Sequence, residues 1–200
     1  MLSALVLTAL LVACSAFRSP LASRSPSPKS TSLRAGEGPV PVFVSHYEEL
    51  SVPTLQGIHL TDITSLIQSI VDTSGMTEGQ VAVLSRHTTT AITINEMEGR
   101  LVDDVRQYLW QLAPPTYPYL HNDLHLRSGP PDWPGGNEAW RAQEPVNAHA
   151  HLLNMLLGSS AAIPVHQGKL KIGTWQSVIM VELDGPRTRS VAVQLTGIKK

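Results

Sequence analysis

Hydrophobic residues recur with the period of an amphipathic helix in three stretches of the chain. The stretch GIHLTDITSLIQSIVDTSG predicts a helix over 63–74, with Thr61 as its cap and Gly75 as its end. The stretch GRLVDDVRQYLWQLAPP predicts a second helix over 99–113, which the following prolines terminate. The stretch NAHAHLLNMLLG predicts a third helix over 148–157.

Apolar and polar residues alternate in several of the other segments, which predicts strands. PVFVSHYEEL is expected to be a first strand, and a second strand over 80–87 is followed by another extended piece. KLKIGTWQSVIMVELDGPRTRSVAVQLTG is expected to form an antiparallel hairpin around DGPRT. The Pro- and Gly-rich residues 116–145 predict a loop that carries function or covers a site. Because strands outnumber helices and no βαβ period is present, the predicted class is α+β, an antiparallel sheet or sandwich forming one domain over 40–200.

The chain begins with a predicted presequence in two parts. Residues 1–16 contain an apolar run that is too short to span a bilayer and is typical of a secretory signal peptide. Residues 17–36 are rich in Ser, Pro and Arg, as in a transit peptide. The two parts in series resemble the bipartite plastid presequences of algae with secondary plastids, so cleavage near Ala16–Phe17 and a plastid location are expected. A bacterial lipoprotein signal ending at Cys14 is the alternative.

Removal of the presequence changes the charge of the protein. Four of the 15 Lys and Arg residues lie within 1–36, whereas all 16 acidic residues follow it. The mature domain is therefore mildly acidic, and no basic patch predicts nucleic-acid binding. The only cysteine, Cys14, leaves with the signal peptide, which excludes disulfides, thiolate catalysis and cysteine-bound zinc in the mature chain. No membrane attachment is expected for the mature form.

The eight histidines are the residues with the most evident chemical potential. His121 and His125 are four residues apart, a spacing that lets both bind one ligand on a helix or on a strand. The alternative is that both are loop residues facing solvent or capping backbone groups. His87 follows an apolar strand, where a hydrogen-bonded structural role is the alternative to a site role.

The pair in NAHAHLLNMLLG cannot easily serve one site together. Positions two apart on an α-helix point in directions about 200° apart. His149 shares the more apolar side of the predicted helix with Leu152, Leu153 and Leu156, so we expect it to be packed. His151 is expected to face a more polar space.

Five blocks in order make the chain resemble the YjbQ-like family, also called the secondary thiamine-phosphate synthase enzymes. The blocks are HTTTAITINE, YLH, AHLLNMLLGSS, IPVHQGKLKIGTWQ and ELDGPRTR. They extend over nearly the whole domain, from Phe43 to Gly197. The resemblance implies a small α+β domain with an antiparallel sandwich that assembles as a homotrimer.

The resemblance also implies a metal site. Carried over block by block, the characteristic histidines of the family are His87, His121 and His151. Three neutral imidazoles suit Zn²⁺ or another borderline transition metal, whereas Mg²⁺ prefers oxygen ligands. His125, His149 and the PPDWPGG insertion depart from the shorter bacterial pattern.

The implied activity is that of a thiamine-phosphate synthase, which joins a pyrimidine-methyl pyrophosphate to a thiazole phosphate and releases pyrophosphate. This reaction needs positive charge around the leaving group and a dry pocket. From residue type, we expect the phosphorylated substrates to be bound by Arg127, Arg187 and Trp175. The expected catalytic residues are Glu96 as acid or base, with Thr88 and Gln176 as hydrogen-bonding groups.

Two other functions fit the same residues. One is a metal-dependent hydrolase, in which Glu96 moves a proton for a metal-activated water. The other is a non-catalytic trimeric ligand-binding protein with structural histidines. Complete metal removal tests the hydrolase, and the variants His87→Ala and His151→Ala test the ligand-binding protein.

Overall fold

The computed structural model describes residues 40–200, and the predicted signal peptide and transit-like segment, 1–16 and 17–36, lie outside this range. The described part of the chain forms eight strands and four α-helices. The strands are β1 (Val42–Pro53), β2 (Gly57–Asp62), β3 (Glu78–Ser85), β4 (Thr90–Asn95), β5 (Ser160–His166), β6 (Lys169–Leu170), β7 (Ser177–Gly185) and β8 (Thr188–Lys199). The helices are α1 (Thr64–Ser74), α2 (Gly99–Leu112), α3 (Gly136–Gln143) and α4 (Ala148–Leu157).

Two antiparallel sheets form a sandwich. The larger sheet has the strand order β1-β8-β3-β5-β6, and the smaller sheet has the order β2-β7-β4. Every neighbouring pair of strands is antiparallel. Apolar side chains of both sheets and of α1 form one core, to which Ile67, Val83 and Met180 belong. The predicted α+β class with an antiparallel sandwich is therefore confirmed.

A second core covers the opposite face of the smaller sheet. Along β7, Val178 and Met180 belong to the first core, whereas Ile179 and Val181 belong to the second. Successive residues of a strand point to opposite faces, so the second core lies on the far side of the sheet. Helices α2 and α4 pack there through residues such as Leu109 and Leu153. The apolar run VIMV thus fits a strand that is buried on both faces.

The predicted hairpin around DGPRT is wrong. β7 pairs with β2 and β4, whereas β8 pairs with β1 and β3, so the turn carries the chain from one sheet to the other. Burial explains the separation. β7 is continuously buried from Val178 to Leu183, but β8 alternates between buried and partly exposed residues. The two strands therefore belong to different layers of the sandwich.

The three predicted helices are confirmed as α1, α2 and α4. Gly75 ends α1 in the left-handed conformation, with φ of 68°, as the pattern predicts. The predicted cap Thr61 lies in β2 instead, and the side chain of Asp62 accepts a hydrogen bond from the amide of Thr64 at 2.8 Å.

Residues 116–145 are not a plain loop, because they contain α3 and two 3₁₀ turns. Within 40–200, no helix has both the length and the apolar character to cross a membrane.

Candidate functional site

His121 and His151 are in side-chain contact. Their ring centroids are 4.8 Å apart and the rings meet edge to face at 73°. Two imidazoles that bind one tetrahedral Zn²⁺ at the usual Zn–N distance have centroids about 5 Å apart. The pair therefore has the separation that two ligands of one zinc ion require.

The surroundings of His121 favour its neutral imidazole form. The two rings lie in a surface depression of about 400 Å³. Burial lowers the pKa of His121, and the neighbouring Arg127 and His151 lower it further. Neutral imidazole is the form that binds metals, so the lowered pKa keeps His121 available as a ligand. The other residues that line the depression are Tyr119, Leu120, Ala148 and Leu152.

The contact follows from the way the preceding loop is attached to α4. His121 lies in the 3₁₀ turn Leu120–Asn122, and Asn122 Oδ1 accepts a hydrogen bond from the amide of Ala148 at 3.1 Å. Ala148 is the first residue of α4, and His151 lies three residues later on the same side of the helix. Asn122 therefore holds its neighbour His121 against the side of α4 that carries His151.

Arg127 braces the loop that carries His121. Its guanidinium donates to the carbonyl oxygen of His121 at 3.0 Å and to the carboxylate of Glu144 at 2.9 Å. It also lies over the ring of Trp140, 5.0 Å from the centroid. The carbonyl of Arg127 accepts two hydrogen bonds from Arg141, at 3.0 and 2.7 Å. These contacts give Arg127 a structural role in the loop, and the substrate contact expected from residue type stays a prediction.

His125 does not share a side of the chain with His121. It lies in a second 3₁₀ turn, Leu124–Leu126, and Asp123 with ψ of 65° separates the two turns. Residues three apart, not four, are eclipsed in 3₁₀ geometry. The four-residue spacing of His121 and His125 would allow a shared ligand on a helix or a strand, but it does not do so in these two 3₁₀ turns.

His149 is packed, as the periodicity predicts. Its Nδ1 is buried without a hydrogen-bond partner among the described residues, and burial lowers its pKa. Of the three leucines on that side of α4, Leu153 is buried, whereas Leu152 and Leu156 are 43% and 67% exposed. The space next to His151 is accordingly apolar, not polar as expected.

Helix α4 begins beside the end of β7, and its C-terminal half lies beside the start of β4. Asn154 Nδ2 donates to the carbonyl of Thr90 at 2.5 Å, and Asn147 Nδ2 donates to the carboxylate of Asp184 at 2.7 Å. His151 lies between these two anchoring residues in the helix. We call this end of the smaller sheet, with His87, His151 and Asp184, the histidine end.

His87 lies in the turn between β3 and β4 at the histidine end. Its Nε2 accepts a hydrogen bond from the amide of Ser190 at 3.0 Å. A neutral imidazole has one nitrogen with a free lone pair, so this bond assigns the ring hydrogen to Nδ1. His87 therefore has no lone pair left for a metal in this arrangement.

A buried ion pair fixes the His87 turn. Arg189 donates two hydrogen bonds of 2.6 Å to Glu182 and a third of 3.1 Å to the hydroxyl of Thr89, two residues after His87. Glu182 is fully buried and also accepts from Thr54 and two backbone amides. Burial acts to raise the pKa of Glu182, but these hydrogen bonds bring it below its ordinary value. The pair is thus ionised and ties β7 and β8 to the turn.

The His87 turn is electropositive. Burial lowers the pKa of His87, and three arginines add to this effect. Arg86 and Arg187 are about half exposed, with side-chain exposures of 50% and 47%, and each pairs with one carboxylate. Thr88 is exposed beside them. Exposed guanidinium and hydroxyl groups at one turn can bind an anion such as phosphate.

Glu96, Trp175 and Gln176 lie together at the other end of the smaller sheet. Glu96 follows the last residue of β4, whose six residues span about 17 Å. Trp175 is 75% exposed, and the side-chain oxygen of Gln176 accepts from the amide of Gly173 at 2.7 Å. All three residues line one depression of about 400 Å³. Within one chain, the expected catalytic Glu96 and Gln176 are therefore remote from the histidines.

The expected three-histidine cluster is not assembled within one chain. Among residues 40–200, no group of three or more His, Cys, Asp or Glu side chains could hold a metal ion. His121 and His151 form a pair, and His87 is engaged with β8. A complete coordination shell around the pair needs further ligands from elsewhere.

Sequence reasoning missed the residues that position the site. Asn122, Glu182 and Arg189 make hydrogen bonds to segments remote in sequence, and no local pattern reveals them. One signal was available in α4, where Leu152, Met155 and Leu156 add a second apolar side to a helix that already buries Leu153. A helix that is apolar nearly all round predicts a further contact surface.

Sequence comparisons agree with the fold. The family model for UPF0047 protein YjbQ-like matches residues 48–198. A UPF0047 protein of Methanothermobacter thermautotrophicus is 37% identical over 157 residues, which cover 78% of this chain and 96% of that protein. A UPF0047 protein of Synechocystis is 31% identical over 157 residues, which cover 78% of this chain and 94% of that protein.

Solved structures show the same architecture. A crystal structure of a YbjQ-like protein of unknown function from Sulfolobus solfataricus matches with a TM-score of 0.66 and 32% identity, covering 78% of this chain and 99% of that one. A hypothetical protein from Aeropyrum pernix matches with a TM-score of 0.65 and 34% identity, covering 76% and 98%. The chain therefore belongs to the YjbQ-like UPF0047 family.

Proposed function

We propose that the chain is a metal-dependent enzyme acting on phosphorylated small molecules, with a reaction of the thiamine-phosphate synthase type. The contact between His121 and His151 is the observation that carries the proposal. In this reaction the thiazole nitrogen forms a new C–N bond to the pyrimidine-methyl carbon. Pyrophosphate leaves with the electron pair of the broken C–O bond.

His121 and His151 would hold the ion. The centroid separation of 4.8 Å and the lowered pKa of His121 both suit two neutral nitrogen ligands of Zn²⁺. When bound, a divalent ion supplies Lewis-acid neutralisation of negative charge on phosphate oxygens. Arg127 and Asn122 would contribute by holding the loop that carries His121.

A homotrimer would complete the site. Two histidines leave coordination positions that a neighbouring protomer can fill. His87 is the third ligand implied by the family resemblance, and to bind it would have to release the amide of Ser190. Glu96 and Gln176 could reach this centre only from a neighbouring protomer, because β4 separates them from the histidine end of their own chain.

The His87 turn would bind the phosphorylated part of a substrate. Arg187 and Thr88 offer exposed donors there, and Arg86 adds positive charge. Phosphate oxygens accept hydrogen bonds from both group types, and two arginines offset their charge. This assignment keeps the expected roles of Arg187 and Thr88.

The metal-dependent hydrolase is the less favoured alternative. Its central step relies on Glu96 to move a proton for the attacking water, and Glu96, which follows the end of β4, could reach the ion only from a neighbouring protomer. The non-catalytic ligand-binding protein stays a competing hypothesis that the following experiment addresses.

Complementation tests the activity. Residues 40–200 are expressed in a bacterium that lacks its own thiamine-phosphate synthase, and growth is followed without thiamine. We expect growth with the wild type and with His125→Ala, but not with His151→Ala at equal protein level. Failure of the wild type to restore growth, or equal growth with His151→Ala, contradicts the proposal.

A further inference from the structure

An apolar groove begins at the histidine pair. One wall is the exposed side of α4, where Leu152, Met155 and Leu156 are 43%, 80% and 67% exposed. The end of α2 and the residues after it form the opposite wall. Those residues are Leu112, Ala113, Pro114, Tyr117 and Tyr119. The volume is about 490 Å³, within the range of about 300 to 1,000 Å³ that small-molecule sites occupy.

The groove and the histidine depression are continuous. Tyr119 and Leu152 line both of them. A molecule lying in the groove would therefore have one end at the rings of His121 and His151. The combined surface has apolar walls and places its nitrogen donors at one end only.

The composition of the walls selects the chemistry of the occupant. Among the described residues that line the groove and the depression, none is Lys, Arg, Asp or Glu. Tyr117 and Tyr119 pack against each other, with ring centroids 5.0 Å apart at 54°, and give the groove an aromatic side. A charged group along this surface would lose hydration without gaining a partner, whereas an aromatic ring would gain apolar contact.

We propose that the groove binds the aromatic part of a ligand whose charged or chelating end group reaches the histidine pair. The inference rests on the proposed metal site only for that end group. The occupant is a small molecule because the surface is concave and its few polar groups converge at one end, which is the usual form of a small-molecule site.

Two naphthalene probes separate the groove from the metal. Naphthamide has the aromatic body without a strong chelating group, and naphthohydroxamic acid adds one. Both are titrated calorimetrically into residues 40–200 with and without Zn²⁺. We expect naphthamide to bind in both conditions and the hydroxamic acid to bind at least about tenfold more tightly with Zn²⁺. His151→Ala should abolish only the zinc-dependent gain.

Matched variants locate the binding site. Leu156→Glu places a charge in the groove at an exposed position, and Leu55→Glu does the same at a 65% exposed position between β1 and β2. We expect Leu156→Glu to weaken both probes about tenfold or more and Leu55→Glu to leave them unchanged. If the wild type binds naphthamide but binds the hydroxamic acid no more tightly with Zn²⁺, the result contradicts the proposed metal site and supports the groove.

Two results overturn the inference. One is equal probe binding by the wild type and Leu156→Glu. The other is that a second copy of the chain covers the groove. In that case sedimentation velocity would show a smaller assembly for Leu156→Glu than for Leu55→Glu. Circular dichroism of each variant checks that its fold is retained.

Discussion

His121 and His151 meet edge to face with ring centroids 4.8 Å apart, although α3 and a Pro- and Gly-rich loop separate them in the chain. The hydrogen bond from the Ala148 amide to Asn122 fixes the loop on the helix that carries the second ring. For the proposed metal site, the two imidazoles would thus be positioned before an ion binds, which lowers the ordering cost of binding.

Asn122 is expected to control metal affinity without binding metal. Asn122→Ala removes the acceptor for the Ala148 amide and frees His121 to move. Loss of a group that orients a metal ligand costs about 10- to 100-fold in affinity. Asn122→Asp keeps the acceptor oxygen and should retain most of the affinity. Calorimetric Zn²⁺ titration measures both, and equal affinity for Asn122→Ala and the wild type would refute this role.

Arg127 is expected to hold the loop in place. Arg127→Ala removes contacts to His121, Glu144 and Trp140, so local opening of 116–145 should become more frequent. Limited proteolysis should then cleave this segment several-fold faster. The exposed Arg100→Ala on α2 is the matched control and should leave the rate unchanged. A cleavage rate that Arg127→Ala does not alter argues against the bracing role.

The Glu182–Arg189 pair is expected to respond very differently to single and double substitution. Arg189→Met leaves a buried carboxylate without its counterion, at a cost of about 3 to 5 kcal/mol in the free energy of unfolding. Glu182→Met combined with Arg189→Met removes both charges and should recover part of this loss. Urea denaturation measures each variant. A loss below about 1 kcal/mol for Arg189→Met would be incompatible with a buried, fully paired carboxylate.

Stability is expected to fall as the pH drops below about 7. Burial lowers the pKa of four histidines in the folded protein. They are His59, His87, His121 and His149. The unfolded chain has ordinary histidine pKa values near 6.5, so it binds more protons than the folded state below that pH.

The free energy of unfolding should therefore decrease as the pH falls through about 6.5 and be insensitive to these groups above about pH 7.5. His149→Gln removes one of the four and should make the decrease shallower. Urea denaturation across this range measures the slope. An unchanged slope in His149→Gln would show that its burial does not contribute.

Local patterns predicted α1, α2 and α4 correctly because each period lies within one segment, whereas α3 lies in residues that were predicted to be a loop. Pairing of β7 and β8 could not be predicted in the same way. Both strands have sequences typical of β-structure. Their partners, however, depend on the position of β7 in the sandwich, where Val178 to Leu183 are buried on both faces of the smaller sheet. The expectation of a three-histidine metal site came from the family resemblance and not from a local pattern.

The site shows the same limit. The spacing of His121 and His125 indicated a pair, yet the backbone between them forms two 3₁₀ turns, and His121 meets His151 through the Asn122 attachment. Glu96 follows the strand that begins soon after His87, and the length of β4 places it at the opposite end of the sheet. His87 and Glu96 are therefore close in sequence but lie at opposite ends of the smaller sheet.

The most direct test is a calorimetric titration of residues 40–200 with Zn²⁺, comparing the wild type with His121→Ala, His151→Ala and the neighbouring His125→Ala. Binding by the wild type and His125→Ala, with affinity at least about tenfold lower for both other variants, is the result that the His121–His151 contact predicts. No binding by the wild type, or equal binding by all four proteins, would contradict a metal site at this pair.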